Sequence, residues 1–145
     1  MIKIYTDGSC EPNPGPGGWA AVIQSEKGEK TLSGSHPDTT NNRMELQAAL
    51  EALLAFEQPA QLAIYTDSEY LMRGITKWMP AWKAKNWKRK KGKLANADLW
   101  KALDAALEKH EVNWHWVRGH MGNPGNERAD RLAKKAMRGR RKEQR

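Results

Sequence analysis

Two aspartates follow nearly the same run of residues at two places in the chain. Residues 2–7 read IKIYTD, and residues 62–67 read LAIYTD. Both runs are rich in β-forming residues, so each predicts a strand that ends in a carboxylate, Asp7 or Asp67. If the strands are parallel neighbours, both carboxylates emerge at one sheet edge and repel each other unless a cation lies between them. Alternatively, each aspartate only caps a turn or a following helix.

Two further acids, Glu45 and Asp130, lie in the first turns of predicted helices, next to the apolar stripe. Each also has a purely structural interpretation. Asn42-x-x-Glu45 fits a capping box, and an acid near a helix N-terminus is stabilised by the helix dipole. Taken together, four carboxylates are suited to hard divalent cations such as Mg²⁺, and a pair of ions about 4 Å apart stabilises an in-line phosphoryl displacement.

The residue types available disfavour zinc as the metal. The chain has a single cysteine, and its four histidines show no paired ligand spacing. These histidines are His36, His110, His115 and His120.

The elements that must position the four acids alternate between strand and helix patterns. After the first strand, the Pro- and Gly-rich residues 11–18 predict a loop, and 19–24 and 30–35 predict a hairpin. Possible helix caps at 38–42 precede a helix that ends near Gln58-Pro59. Its apolar face is formed by Leu46, Ala49, Leu50, Leu53 and Leu54.

The second half continues the pattern beyond the strand that carries Asp67. A short helix is predicted over 68–77, and Pro80 predicts a broken helix and a protruding loop over 78–93. A helix follows from Asn96, a strand over 112–117, a loop over 119–125 and a final helix from Asn126. The fold class is therefore α/β, a five-stranded mixed sheet of three antiparallel strands and two parallel additions, flanked by helices. Residues 1–137 form one domain, and 138–145 form a basic, disordered tail.

The net charge of +8 is unevenly distributed along the chain. Residues 77–93 contribute +8 and residues 138–145 contribute +4, so the rest of the chain is acidic, at −4. Such a protein can hold a polyanion by its basic segments while the acidic part does other work. Cys10 alone cannot form an internal disulfide, and no signal peptide or membrane-spanning run is present, so we expect a cytoplasmic protein.

Five short segments, taken in order, resemble the signatures of bacterial type 1 ribonuclease H. They are TDGS at 6–9, TNNRME at 40–45, YTDS at 65–68, WVRGH at 116–120 and NERAD at 126–130. The resemblance implies the ribonuclease H-like fold. It also implies sequence-nonspecific cleavage of the RNA strand of RNA–DNA hybrids, giving 3′-hydroxyl and 5′-phosphate ends.

The resemblance further assigns roles to individual residues. Asp7, Glu45, Asp67 and Asp130 are expected to be catalytic and to ligate two Mg²⁺ ions, with Mn²⁺ as an alternative. His120 is expected to assist proton transfer or product departure. The partner is a hybrid duplex rather than a membrane, and the protein is expected to be a monomer.

The expected substrate contacts fall into two groups. Small polar groups on loops read 2′-hydroxyls or hold a DNA phosphate, and aromatic and basic residues of the protrusion hold the DNA strand. The first group is Cys10, Asn13, Thr40, Asn41 and Asn42, and the second is Trp78, Trp82, Lys83, Lys85, Trp87 and Lys88. The sequence departs from the family pattern at Glu69 and Ala81. Two alternatives remain open, namely a non-catalytic hybrid-binding module and another nuclease or strand-transfer enzyme of the same fold.

Overall fold

A five-stranded mixed sheet forms the centre of the molecule. The structure, a computed structural model, describes residues 1–88, 94–118 and 122–143. The strands are β1 (Ile2–Cys10), β2 (Gly15–Ser25), β3 (Gly28–Thr39), β4 (Gln61–Thr66) and β5 (Glu111–Trp116). Their order is β3-β2-β1-β4-β5, with β1 to β3 antiparallel and β4 and β5 added in parallel. The predicted fold class is confirmed.

The register between β1 and β4 aligns the two repeated runs with each other. Ile4 pairs with Ile64 and Tyr5 with Tyr65, so Asp7 and Asp67 occupy equivalent places two residues beyond the last pair. β4 ends before Asp67, as predicted, whereas β1 continues through Asp7 to Cys10. The prediction that β1 ends at Asp7 is wrong because β2 continues to pair with β1 beyond β4, as far as Cys10.

The helix α1 (Asn41–Leu54) crosses one face of the sheet and supplies much of the core. Of its predicted apolar face, Leu46, Ala49, Leu50 and Leu53 are buried, each removing apolar surface from water. Leu54, however, is 59% exposed because the helix ends there, before the predicted Gln58-Pro59 boundary. The N-cap is Thr40, whose hydroxyl accepts from the Arg43 amide at 3.1 Å, so the capping box expected from Asn42 and Glu45 is not formed.

The segment after β4 stays helical past Pro80. It comprises α2 (Glu69–Arg73), a π-helical turn (Gly74–Trp78) and α3 (Met79–Ala84). The break predicted at Pro80 is wrong because the π-helical turn places the proline in the first turn of α3, where a residue without an N–H is tolerated. A side chain at Gly74 would overlap the buried indole of Trp100 in α4 (Ala97–Leu107), so glycine permits close packing here.

The last helix, α5 (Pro124–Glu143), packs on the opposite side of the sheet to α1 and begins two residues before the predicted start. A side chain at Gly18 would overlap the α5 backbone at Ala133 and Met137, which explains why the predicted loop at 15–18 is instead a glycine-rich part of β2. The disorder predicted after Met137 is wrong for residues 138–143, where the helix continues. Lysine, arginine and glutamate favour helix, and the Arg140 Nε donates to the Ser35 hydroxyl at 3.3 Å.

Candidate active site

Three carboxylates meet where β1, β4 and α1 come together. One oxygen from each of Asp7, Glu45 and Asp67 lies within 4.8 Å of the others. The Gly8 amide donates to Asp7 Oδ1 at 2.9 Å and to Glu45 Oε1 at 3.0 Å, so a single N–H holds two acids together. A side chain at Gly8 would overlap the backbone of α1, so glycine is what allows β1 and α1 to approach this closely. The convergence predicted for these three acids is therefore observed.

The environment of the cluster opposes the simultaneous ionisation of its acids. Burial, with the added repulsion of Glu45, raises the pKa of Asp7 from its ordinary 3.8 to about 12. Burial also raises the pKa of Glu45 to about 7, although a hydrogen bond from Asp7 works in the opposite direction. Asp7 is 3% exposed and Glu45 is 6% exposed, so water screens their repulsion poorly. The cluster therefore retains protons unless a cation replaces them.

The residues present fit a divalent metal. Glu45 Oε2 is buried and has no hydrogen-bond partner, which is costly for an acceptor that serves only structure. Oxygen-only donors at this spacing match the preference of Mg²⁺ and Mn²⁺ for carboxylate ligands. A cation held by Asp7, Glu45 and Asp67 would satisfy the unpaired oxygen and offset the repulsion.

Asp130 lies beside this cluster rather than within it. It lines the same open cavity of about 410 Å³, and its proximity adds to the rise in the pKa of Asp7. Lys134, one helical turn further on, pairs with Asp130 at 3.1 Å and also lines the cavity. Because α5 begins at Pro124, Asp130 falls in the second turn, so the expected position in the first turn is wrong and the helix-dipole argument does not apply.

Two contacts fix the backbone that carries Asp67. The Trp116 indole N–H donates to the Asp67 carbonyl oxygen at 3.3 Å, and the Val117 amide donates to the Thr66 carbonyl at 2.8 Å. Trp116 remains 45% exposed, which is unusual for so large an apolar side chain. No role was predicted for Gly8, Lys134 or Trp116. Gly8 follows Asp7 directly and Lys134 lies one helical turn from Asp130, whereas Trp116 stands only within the segment WVRGH.

Comparison with known proteins agrees with this geometry. The family model described as RNase H matches residues 1–138. The chain belongs to the RNase H family. The ribonuclease H of Agrobacterium fabrum is 56% identical over 137 residues, covering 94% of both chains. The ribonuclease H of Pseudomonas paraeruginosa is 54% identical over 138 residues, covering 94% of this chain and 93% of the relative.

A solved structure supports the same assignment. The crystal structure of LC9-RNase H1, described as a type 1 RNase H with the type 2 active-site motif, superposes with a TM-score of 0.87 at 35% identity. The match covers 96% of this chain and 72% of that one. The protein is therefore a ribonuclease H, an endonuclease of the hydrolase class, and the resemblance seen in the five sequence signatures is confirmed.

The loop residues predicted to contact substrate are arranged around the acids of this ribonuclease H. Asn41 and Asn42 line the cavity directly. Both are the first residues of α1 rather than loop residues as predicted. Asn13 Oδ1 accepts from the Asn41 amide at 3.2 Å and so holds the start of this helix, while the hydroxyl of Thr40 caps it. Cys10 is buried, its thiol lies 3.3–3.4 Å from three carbonyl oxygens, and burial raises its pKa. The thiol is therefore engaged by backbone carbonyls, and a contact between Cys10 and substrate stays a prediction.

The protrusion residues are brought together in a separate cluster. The ring of Trp82 packs at a tilt against those of Trp78, Trp87 and Trp100, with ring centroids 5.4–6.2 Å apart. Trp78, Trp82 and Trp87 are half-buried. Lys83 pairs with Asp104 of α4 at 3.0 Å, so this lysine also ties α3 to α4. The remaining two predicted contacts, Lys85 and Lys88, are exposed.

Several other expectations have separate outcomes. His120 and the basic residues 89–93 lie outside the described residues. Glu69, one of the two residues that depart from the family pattern, lines the acid cavity and pairs with Arg73 at 3.4 Å. Among the described residues, no helix combines the length and the apolar character needed to cross a bilayer.

Proposed function

We propose that this ribonuclease H hydrolyses the RNA strand of RNA–DNA hybrids without sequence preference, using two Mg²⁺ ions held by Asp7, Glu45, Asp67 and Asp130. The observation that carries the proposal is the cluster of three carboxylates within 4.8 Å, one of which has a buried oxygen without a partner. Mn²⁺ has the same ligand preference and is the alternative ion. The proposed location is the cytoplasm and the proposed state is a monomer.

Divalent cations bound at this site would stabilise the attacking and leaving oxygens of the phosphoryl displacement. The protein's own residues prepare the site. The Gly8 amide fixes one oxygen of Asp7 and one of Glu45, while the backbone of Asp67 is held by Trp116. Because the pKa values of Asp7 and Glu45 are raised, binding of cations displaces protons from these carboxyl groups. The site therefore depends on metal for its charge balance.

Selection of a hybrid is supported by the start of α1, next to the cavity, and by the protrusion. Asn41 and Asn42 present amide groups next to the acids, as needed to recognise 2′-hydroxyls in a minor groove. The half-buried tryptophans and exposed lysines of the protrusion offer flat apolar contact and positive charge for the second strand. His120 is proposed to assist proton transfer or product departure.

The test is a comparison of matched substrates that share one sequence. We expect product from the RNA strand of the hybrid, with 3′-hydroxyl and 5′-phosphate ends, and little product from single-stranded RNA or duplex DNA. Asp67→Asn should abolish cleavage while preserving the circular dichroism spectrum, because it removes a ligand charge and little volume. Equal cleavage of all substrates would refute the proposed specificity, and an active Asp67→Asn variant would refute the role of the cluster. A folded wild type that binds the hybrid but never cuts it would favour the non-catalytic module.

A further inference from the structure

A second groove lies on the other flank of α5, between that helix and β3, and its lining includes the small or apolar residues Leu132, Ala136 and Gly139. Its volume is about 320 Å³, and its walls carry two hydroxyls and two cationic side chains. These are Ser33, Ser35, Lys135 and Arg140. The described residues that line the groove include no carboxylate, in contrast to the acid cavity. Hydroxyls with arginine and lysine form a donor set suited to a phosphate group.

The sheet register places this groove on the same edge as the acids. Ser9 pairs with Gly18, which in turn pairs with Ser35, so Ser35 lies level with a residue just beyond Asp7. Two strand spacings separate Ser35 from β1, or about 10 Å. The groove is therefore close to the acid cavity but separated from it by the width of α5.

Side-chain contacts along α5 confirm the direction in which the helix runs. Near its middle, the Ser9 hydroxyl donates to Met137 Sδ at 3.5 Å, and further on the Arg140 Nε donates to the Ser35 hydroxyl at 3.3 Å. The ten residues from Asp130 to Arg140 span about 15 Å of helix. One helix thus runs from the acid cavity at Asp130 to the groove at Arg140. Of two consecutive lysines, Lys134 lines the acid cavity and Lys135 lines the groove.

The groove and the tryptophan-rich protrusion are carried by different elements, the groove by β3 and α5 and the protrusion by a segment that packs on α4. The acids are carried by β1, β4 and α1 near the centre of the sheet, whereas β3 is the edge strand on one side. The protrusion packs through Trp82 on Trp100 of α4, a helix that packs in the core against α1. The acid cavity is lined by five acidic residues and one lysine, so it repels a polyanion, and the cations of the groove and of the protrusion would offset that repulsion.

We propose that the groove between β3 and α5 binds a backbone phosphate of the nucleic-acid substrate, at a distance from the phosphate that is cut. Arg140 and Lys135 supply the charge, and Ser35 orients the guanidinium group of Arg140. This inference rests on the proposed function, because it assumes a hybrid duplex in the acid cavity. It assigns a substrate-binding role to the basic C-terminal part of α5.

The test measures kcat and KM on a hybrid of about 20 base pairs over a range of salt concentrations. Arg140→Gln and Lys135→Gln should each raise KM roughly threefold to tenfold and leave kcat unchanged. Each should also reduce the slope of log KM against log salt concentration by the equivalent of about one phosphate contact. Arg140→Lys should retain most of the affinity because it keeps the charge. The matched control is Lys109→Gln, which removes one exposed cation beyond the end of α4, next to the start of β5 at the opposite edge of the sheet.

Neutral methylphosphonate linkages, placed one at a time along each strand, locate the contact. One position away from the cut should raise KM for the wild type but not for Arg140→Gln. If Arg140→Gln is less folded by thermal melting, Lys135→Gln decides, because its side chain is exposed. If the kinetics of both charge variants match those of Lys109→Gln, the inference is overturned. An acidic protein partner would then be a better candidate for the groove. A wild type that fails to cleave the hybrid would instead overturn the proposed function.

Discussion

Replacing Asp7 by asparagine should stabilise the metal-free protein. In the folded state, burial and the neighbouring Glu45 raise the pKa of Asp7 from 3.8 to about 12, so the folded protein binds this proton more tightly than the unfolded chain. Stability contributed by such a group is present below pH 4 and is lost as the pH rises. Asparagine keeps the shape of the protonated acid and does not ionise, so it avoids that loss.

The size of the effect follows from the pH interval. Between pH 3.8 and an assay at pH 7 the folded protein holds a proton that the unfolded chain releases, and each pH unit corresponds to about 1.4 kcal/mol. The ceiling is therefore about 4 kcal/mol, and relaxation of the site and the coupling to Glu45 reduce it. We expect a gain of about 1–4 kcal/mol at pH 7, which raises Tm by roughly 2–4 °C per kcal/mol in a chain of this size.

The assay is thermal unfolding in EDTA at pH 4 and at pH 7. The stabilisation should be nearly absent at pH 4 and large at pH 7, and adding Mg²⁺ should stabilise the wild type more than Asp7→Asn. The control is Asp38→Asn, the same chemical change at an exposed position. An unchanged Tm at pH 7, or an equal shift at both pH values, would refute the view that repulsion and burial strain this site.

Two other predictions concern the elements that position the acids. Thr40→Ala removes the N-cap of α1 and should lower the free energy of unfolding, measured with denaturant, by about 1 kcal/mol. The control Thr76→Ala, at an exposed helical position, should lower it by less. Equal losses would contradict the capping role. Gly125→Ala would place a methyl group against an aromatic ring of β1 and displace the start of α5 together with Asp130. Hybrid cleavage should fall at least about tenfold, because a misplacement of about 1 Å in an active site can cause a loss of this size. An unimpaired Gly125→Ala would show that this packing does not position Asp130.

The convergence of the acids was accessible from sequence because it depends on a simple periodicity. Two similar runs of β-forming residues separated by a helical pattern predict parallel strands, and the register of Tyr5 with Tyr65 then makes Asp7 and Asp67 neighbours. Glu45 was predicted from its position in the first helix, next to the apolar stripe. These features depend on local pattern, and the structure confirms them.

Other features depend on contacts between distant segments and could not be derived from local pattern. The glycines of residues 15–18 predicted a loop, but this segment is part of β2, where Gly18 lets the backbone of α5 pack closely, which only the tertiary structure reveals. Pro80 predicted a helix break, but a π-helical turn accommodates it. Cys10 was predicted to contact substrate from its place in a loop, whereas its thiol is enclosed by carbonyl groups from residues on both sides of the loop and from β3.

The C-terminal segment illustrates how a composition argument fails. A run without apolar residues predicted disorder, yet helix-favouring side chains and the contact between Arg140 and Ser35 accompany a helix that continues past Met137. The division of the chain into a domain at 1–137 and a tail at 138–145 remains a prediction.

The central claim is that the clustered carboxylates work only with bound divalent cations. The most direct test is the single-turnover rate of hybrid cleavage as a function of Mg²⁺ concentration, starting from protein stripped with EDTA. We expect no product without metal and a rate that rises more steeply than in proportion to Mg²⁺ before it saturates, because two ions are needed. Undiminished cleavage in EDTA would contradict the account.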